Sequence, residues 1–237
     1  VRIAKSGLCS RRAAEQLITE GRVQVNGEVV EQLGTKVTAE DEIKVDGQIL
    51  GIAKKYTLLL NKPTGVVTTL SDPQGRPTIA TFLPDYGVQL KPVGRLDKDT
   101  DGLILITNDG DLSQRLMHPR YGVEKTYRAV VEGIPDEKRL ERLRKGVFIE
   151  TGKTSPAQVT VIHAEEKSNR TTLEISIHEG KKRQVRLMCE AIGHPVDKLT
   201  RIKIGPFSLK GMRPGECLLL GKQEVDNLRR MVGLDTE

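Results

Sequence analysis

The apolar pattern after residue 56 most constrains the fold, because it predicts many strands and few helices. Five segments have the apolar runs or the alternation typical of strands, namely residues 56–60, 103–107, 126–131, 157–162 and 172–178. Three have helical periodicity, namely residues 136–145, 183–192 and 224–231. Strands and helices do not alternate regularly. The sequence therefore predicts an α+β fold on a mixed, mostly antiparallel sheet.

The first fifty residues have the pattern of a small, separate module. Ser10 is a suitable N-cap for a helix over residues 11–20. Alternating valines on both sides of Asn26-Gly27 predict a hairpin. So few apolar residues stabilise little on their own, which indicates a binding module on a tether. The expected division is a binding module at residues 1–50, a linker at 51–56 and a main domain at 57–237.

The basic charge of the chain is concentrated in two places. The net charge of +6 favours an anionic partner. Residues 1–22 contain five cationic residues against two anionic ones, and residues 181–203 contain seven against two. Two separated basic clusters suit a polyanion that is contacted at two places, although a solvated face would account for either cluster alone.

Composition disfavours several other classes of protein. The three cysteines are far apart and form no C-x-x-C pair, which argues against a disulfide framework. The four histidines lack metal-ligand spacing, so we expect no metal site. No apolar run approaches the ~20 residues that span a bilayer, and the start lacks the apolar stretch of a secretory signal. We therefore expect a cytoplasmic protein with no membrane partner.

The segment from Gly94 to Gly110 is the most unusual in the sequence. Within it, Asp97-x-Asp99-x-Asp101-Gly102 matches the opening of a calcium loop. Such a loop needs a glutamate at its twelfth position, and the twelfth residue here is Asn108, after an apolar run. Calcium binding is therefore rejected. The pattern indicates a polar loop that leads into a buried strand, where catalytic side chains are often placed.

This segment resembles the signature of pseudouridine synthases, G-R-L-D-x-x-T-x-G-L-(I/L)-L-(I/L)-T-N-D-G, in the branch that contains RsuA and RluB. Other elements of the family follow the same order along the chain. They are the K-P-x-G element at Asn61–Gly65, the K-x-Y element at Lys125–Tyr127 and the E-G-x-x-R-Q-(V/I)-R element at Glu179–Arg186. Residues 1–47 resemble the S4 RNA-binding domain, so the resemblance covers nearly the whole chain.

The resemblance implies that the chain converts uridine to pseudouridine within RNA. In this reaction the N1–C1′ bond breaks, the uracil turns and C5 bonds to C1′, so no cofactor is consumed. The family's catalytic aspartate corresponds to Asp97, its paired arginine to Arg186 and its active-site tyrosine to Tyr127. The arginine would keep the carboxylate ionised. The tyrosine would pack on a uracil that has left its stack.

Residues that contact RNA are also indicated. Aromatic residues make up 3% of the chain, so phosphate contacts should contribute more to affinity than stacking. The expected contacts are Lys5, Ser10, Arg11, Arg12 and Arg22 in the first module, and Lys62, Arg95 and Arg183 in the main domain.

Chain length and the Glu179–Arg186 element are most similar to RluB-like enzymes that act on large-subunit (23S) ribosomal RNA. The expected partner is that RNA or a ribosome-assembly intermediate, and we expect a monomer. Two alternatives stay open: an RsuA-like enzyme for small-subunit (16S) RNA, and a non-catalytic RNA-binding or ribosome-assembly protein. The sequence also leaves open whether Asp97 attacks C1′, attacks C6 or removes a proton from C2′.

Overall fold

The chain divides into two compact units in the computed structural model, which describes residues 2–38, 40–51 and 53–236. The first unit comprises Val1–Tyr56 together with the short segments Asp85–Leu90 and Asn108–Gly110. The second comprises Thr57–Pro84, Lys91–Thr107 and Asp111–Glu237.

The first unit contains two helices and a small antiparallel sheet. The helices are α1 (Arg2–Lys5) and α2 (Arg11–Thr19), and the strands are β1 (Val23–Val25), β2 (Glu28–Val29), β3 (Ile43–Val45) and β4 (Gln48–Ile49). The strand order is β2-β1-β3-β4. The predicted hairpin is confirmed: Asn26 and Gly27 have φ values of 52° and 89°, as a tight two-residue turn requires.

The core of this unit is small, as its length allows. It consists of Ile3, Ala14, Val23, Ile43 and Val45. The N-cap prediction is also confirmed, because the Ser10 hydroxyl accepts a hydrogen bond from the Ala13 N–H at 3.1 Å.

The second unit contains most of the strands. They are β5 (Thr57–Lys62), β6 (Lys91–Pro92), β7 (Thr100–Thr107), β8 (Lys125–Glu132), β9 (Phe148–Ile149), β10 (Gly152–Lys153), β11 (Gln158–Glu165), β12 (Arg170–Ile177), β13 (Val196–Ile204), β14 (Phe207–Ser208) and β15 (Cys217–Leu219). All except the β9–β10 hairpin join one sheet in the order β11-β12-β8-β13-β7-β5-β15, with β14 on β13 and β6 on β7. The β7–β13 pairing is parallel and its neighbours are antiparallel, so the predicted α+β class and mixed sheet are confirmed.

Four helices follow along the chain: α3 (Gly110–Met117), α4 (Glu137–Lys145), α5 (Gln184–Glu190) and α6 (Lys222–Met231). Leu112 and Leu116, spaced four apart on α3, bring their side chains to one face and pack on β7 residues with Leu228 of α6. In the described part of the chain, no helix is both long and apolar enough to cross a membrane.

A glycine makes the parallel pairing in the middle of the sheet possible. Gly102 has a φ of +106°, and a Cβ at this position would lie 2.3 Å from the Arg201 carbonyl oxygen and 2.7 Å from its nitrogen. A side chain here would therefore collide with the backbone of β13. The close approach brings Arg201 beside the start of β7, which directly follows the Asp97 loop.

Candidate active site

Asp97 lies in the turn that leads into β7. Its carbonyl accepts a hydrogen bond from the Thr100 N–H at 3.1 Å. Gly94, with a φ of +75°, starts the loop in a conformation that glycine adopts readily. The Asp97 side chain is 39% exposed and lines a cavity. The fold therefore presents this carboxylate at an accessible surface.

The backbone just before Asp97 is held by a buried threonine. The Thr68 hydroxyl donates to the Leu96 carbonyl at 2.7 Å and accepts from the Leu96 N–H at 3.2 Å. On the other side of Asp97, the Gly65 N–H donates to the Lys98 carbonyl at 2.8 Å. The segment after β5 thus fixes the loop on both sides of the carboxylate.

Lys62 ends β5 and is completely buried, at 0% exposure. Its Nζ donates to the carbonyls of Pro63 at 2.9 Å and Val66 at 2.8 Å. Burial lowers the pKa of Lys62 to about 8, against the opposing effect of nearby aspartates that include Asp97. The predicted RNA contact of Lys62 is therefore contradicted, because its amine holds the turn after β5 and has no surface for a phosphate.

Arg186 does not pair with Asp97 as the resemblance implied. Its guanidinium donates to the Val196 carbonyl and to the Asp99 carbonyl, both at 2.9 Å, and its Nη2 lies 3.3 Å from the Asp99 carboxylate. Arg186 is buried, with 8% exposure, and these hydrogen bonds and the ion pair fix its side chain. The expected ion pair is corrected accordingly: Arg186 ties the loop to α5 and β13.

Arg183 is the cation that approaches Asp97. Its Nη1 lies 4.0 Å from an Asp97 carboxylate oxygen and 3.4 Å from each carboxylate oxygen of Asp99. The residue has a φ of +51°, which is uncommon for a side chain of this size. Such strain persists where the surroundings enforce it, often at functional sites.

Hydrogen bonds within the E-G-x-x-R-Q element hold the backbone of Arg183 in this conformation. Gln184 is buried; its side chain accepts from the Lys181 N–H at 3.0 Å and donates to the Glu179 carboxylate at 2.6 Å. Glu179 also accepts from the Ser155 N–H at 2.9 Å. This network explains why the element contains a glutamate and a glutamine around its basic residues.

Tyr127 lies on β8, and Arg201 lies opposite it on β13. The Arg201 Nη1 donates to the Tyr127 hydroxyl at 3.4 Å, and its guanidinium carbon lies 5.9 Å from the ring centre. Lys125 shares the Tyr127 face, since the two residues are two positions apart along the strand, with Thr126 between them. The K-x-Y spacing could have indicated Lys125; no pattern in the sequence marked Arg201 as a site residue.

These side chains line one cavity of about 790 Å³, within the range of ligand-binding pockets. Among the described residues, Asp97 is the one carboxylate in its lining and Tyr127 the one aromatic ring. Seven cationic side chains surround them: Lys91, Arg95, Lys125, Lys181, Lys182, Arg183 and Arg201. A cavity with so many cations suits a polyanionic substrate.

The predicted RNA-contact residues of the first unit differ in exposure and in the hydrogen bonds that their side chains already make. Arg11 and Arg12 are exposed on α2. Arg22 donates to both carboxylate oxygens of Asp46, at 2.8 and 2.7 Å, and to Glu20 at 3.0 Å. The side chain of Lys5 lies outside the described part of the structure.

Comparison with known proteins identifies the chain. Residues 56–191 match the family model for RNA pseudouridylate synthase, and residues 1–43 match the S4 domain. The chain belongs to the RNA pseudouridine synthase family. It is thus an RNA isomerase with an N-terminal S4 domain, as the sequence motifs predicted.

Individual relatives support this assignment over almost the full length. The chain is 44% identical to the ribosomal large subunit pseudouridine synthase B of Bacillus subtilis, over 97% of the chain and 94% of that protein. It is also 44% identical to an uncharacterised RNA pseudouridine synthase of Aquifex aeolicus, over 98% and 93%. The crystal structure of a pseudouridylate synthase matches with a TM-score of 0.68 and 32% identity, over 95% of the chain and 96% of that structure.

Proposed function

We propose that this pseudouridine synthase modifies a uridine of large-subunit (23S) ribosomal RNA and that Asp97 is its catalytic carboxylate. The substrate class is supported by the name of the Bacillus subtilis relative. The observation that carries the catalytic role is the position of Asp97, a lone carboxylate among seven cations in the cavity described above. The small-subunit substrate stays an alternative that the experiment below distinguishes.

The geometry assigns each neighbour of Asp97 a role in this proposal. Asp97 acts on a uridine flipped into the cavity, as nucleophile or as base. The Arg183 guanidinium, 4.0 Å away, forms an ion pair with the carboxylate. Tyr127 supplies the apolar face against which the uracil packs. Arg186, through Asp99, keeps the loop in place.

RNA is held chiefly through its phosphates in this proposal. The exposed cations of the cavity rim, Arg95 and Lys182 among them, contact the strand that carries the target uridine. Residues 1–50 form a separate RNA-binding module in which Arg11 and Arg12 contact phosphate, and residues 57–237 form the catalytic domain. The enzyme acts as a monomer.

Replacement of Asp97 with asparagine tests the catalytic role, because the change removes the charge and nearly preserves the shape. The wild type and Asp97→Asn are expressed in bacteria that lack their own large-subunit enzyme, and pseudouridine is mapped by carbodiimide-blocked primer extension on both ribosomal RNAs. The wild type is expected to restore a stop in 23S RNA, and Asp97→Asn to restore none. A stop with Asp97→Asn would refute the catalytic role, and a wild-type stop in 16S RNA alone would refute the substrate.

A further inference from the structure

Two cations meet at the base of the cavity, on adjacent strands. Lys125 and Tyr127 lie on β8, while Arg201 lies on β13 directly opposite Tyr127. Burial and, as the smaller cause, the positive charge of Arg201 together lower the pKa of Lys125 to about 8. The two like charges are therefore close enough to affect each other.

Neither cation has a carboxylate partner among the described residues. The Arg201 side chain is 3% exposed; its Nε donates to the Leu103 carbonyl at 2.6 Å, and its Nη2 is buried without a hydrogen-bond partner. Lys125 has one long hydrogen bond, from Nζ to the Val123 carbonyl at 3.3 Å. A shielded charge that is neither paired nor fully hydrogen-bonded is costly, and Lys125 and Arg201 both line the cavity, where a bound substrate would bring acceptors to them.

We propose that Lys125 and Arg201 form a cationic floor that binds the uracil ring beside Tyr127 and stabilises the negative charge that develops on it. The inference rests on the proposed function and extends it to the base itself. Uracil has carbonyl oxygens at positions 2 and 4, and the donors of Lys125 and Arg201 match such acceptors. The floor would thus hold the base of the uridine on which Asp97 acts.

The chemistry of the reaction explains why a cationic floor is useful. When the N1–C1′ bond breaks, its electron pair leaves with the uracil, whose charge spreads over N1, O2 and O4. The ring turns, C5 forms the new bond to C1′, C5 loses its proton and N1 gains one, so the sum is an isomerisation. Fixed donors in a shielded site stabilise such a developing anion, and removal of one typically costs about 10²–10³-fold in rate.

Single-turnover kinetics with saturating enzyme and unmodified ribosomal RNA test the floor. Lys125→Met is expected to slow pseudouridine formation about 100-fold while RNA affinity and its salt dependence stay near wild type. Lys125→Arg restores the charge and should recover most of the rate. Arg128→Met is the matched control, because Arg128 lies on the same strand, is exposed and pairs with Glu174 at 2.8 Å. It should keep the wild-type rate.

Arg201 is tested by the conservative change Arg201→Lys, because a neutral residue at this buried position could prevent folding. Circular dichroism checks the fold, and a rate at least tenfold below wild type is expected, since lysine keeps the charge and loses the planar fork. Wild-type rates for both Lys125→Met and Arg201→Lys would overturn the floor. So would a reduced salt dependence of binding in Lys125→Met, which would place Lys125 on a phosphate. A wild type that modifies no RNA would instead refute the proposed function, and the floor with it.

Discussion

The Thr68 hydroxyl holds the backbone just before Asp97, the proposed catalytic carboxylate, so Thr68→Val should impair both stability and catalysis. Valine keeps the shape of threonine and removes two buried hydrogen bonds to Leu96, at 2.7 and 3.2 Å. Both residues are buried, so the Leu96 N–H and carbonyl lose their described partner. Each orphaned buried group costs about 1–3 kcal/mol, so for the two groups we expect a loss of about 2–6 kcal/mol in the free energy of unfolding.

The kinetic effect follows because Leu96 directly precedes Asp97. A displacement of a catalytic group by about 1 Å can cost about 100-fold in rate, and we expect a loss of this order in the single-turnover rate. Urea unfolding and single-turnover pseudouridine formation measure the two effects. Thr68→Ser keeps the hydroxyl and should retain most of both properties. Thr35→Val, which removes an exposed hydroxyl bonded to the Gln32 carbonyl at 2.8 Å, is the control for the chemical change. A Thr68→Val enzyme with the wild-type rate and stability would refute the reasoning.

Three further predictions address the sheet, a buried lysine and the S4 module. Gly102→Ala should destabilise the protein by more than about 3 kcal/mol, measured by urea unfolding, because its Cβ would lie 2.3 Å from the Arg201 carbonyl oxygen; near wild-type stability would contradict the parallel pairing. The pKa of Lys62 falls from 10.5 unfolded to about 8 folded, so the unfolded chain binds more protons between these pH values and the free energy of unfolding should rise with pH there. Lys62→Met should reduce that slope, and an unchanged slope would show that Lys62 titrates normally. Replacing Arg11 and Arg12 with alanine should weaken RNA binding and reduce its salt dependence by about 0.7 per lost phosphate contact, whereas an unchanged salt slope would place both side chains off the RNA.

Elements with a strong apolar period could be predicted from the sequence. The hairpin around Asn26-Gly27, strands β5, β7, β8, β11 and β12, and helix α4 follow from turn residues, apolar alternation or runs, and helical periodicity. Helix α3 was missed, because it begins at Gly110 and has only Leu112 and Leu116 buried. Its signal is a single i, i+4 pair, and what stabilises the helix is packing on β7, which a local pattern does not contain.

Strand β13 was missed for a different reason, and Arg201, which lies on this strand and lines the cavity, was missed with it. Its sequence, Val196–Ile204, contains Lys198, Arg201 and Lys203, and a basic run indicates a solvated face. In the structure β13 lies between β7 and β8, and Arg201 is buried. The sequence cannot distinguish an exposed arginine from one held by a carbonyl on the neighbouring strand, because that carbonyl belongs to Leu103, far away along the chain.

The pairing of charges could not be read from motif order either. The sequence brings Asp97, Asp99, Arg183 and Arg186 to one place and does not specify which arginine meets which carboxylate. In the structure, the burial of each arginine determines which carboxylate it meets. Arg186, on the buried side of α5, reaches the Asp99 backbone and carboxylate, while Arg183, in the turn before α5, reaches the Asp97 and Asp99 carboxylates from the exposed side.

Buried polar atoms without a hydrogen-bond partner, which reduce the stability of a fold, are concentrated in one part of this structure. Four buried side-chain polar atoms without a hydrogen-bond partner are found in the described residues: Thr100 Oγ1, Asp101 Oδ1, Arg186 Nε and Arg201 Nη2. Thr100 and Asp101 begin β7 directly after the Asp97 loop, Arg201 pairs with Gly102 beside them, and Arg186 bonds the loop backbone. Buried polar groups are otherwise satisfied in stable proteins, and a fold selected for stability alone would spread or remove such atoms. Their concentration around the Asp97 loop agrees with the catalytic role proposed for Asp97, since functional sites are where a fold departs from full hydrogen-bond satisfaction.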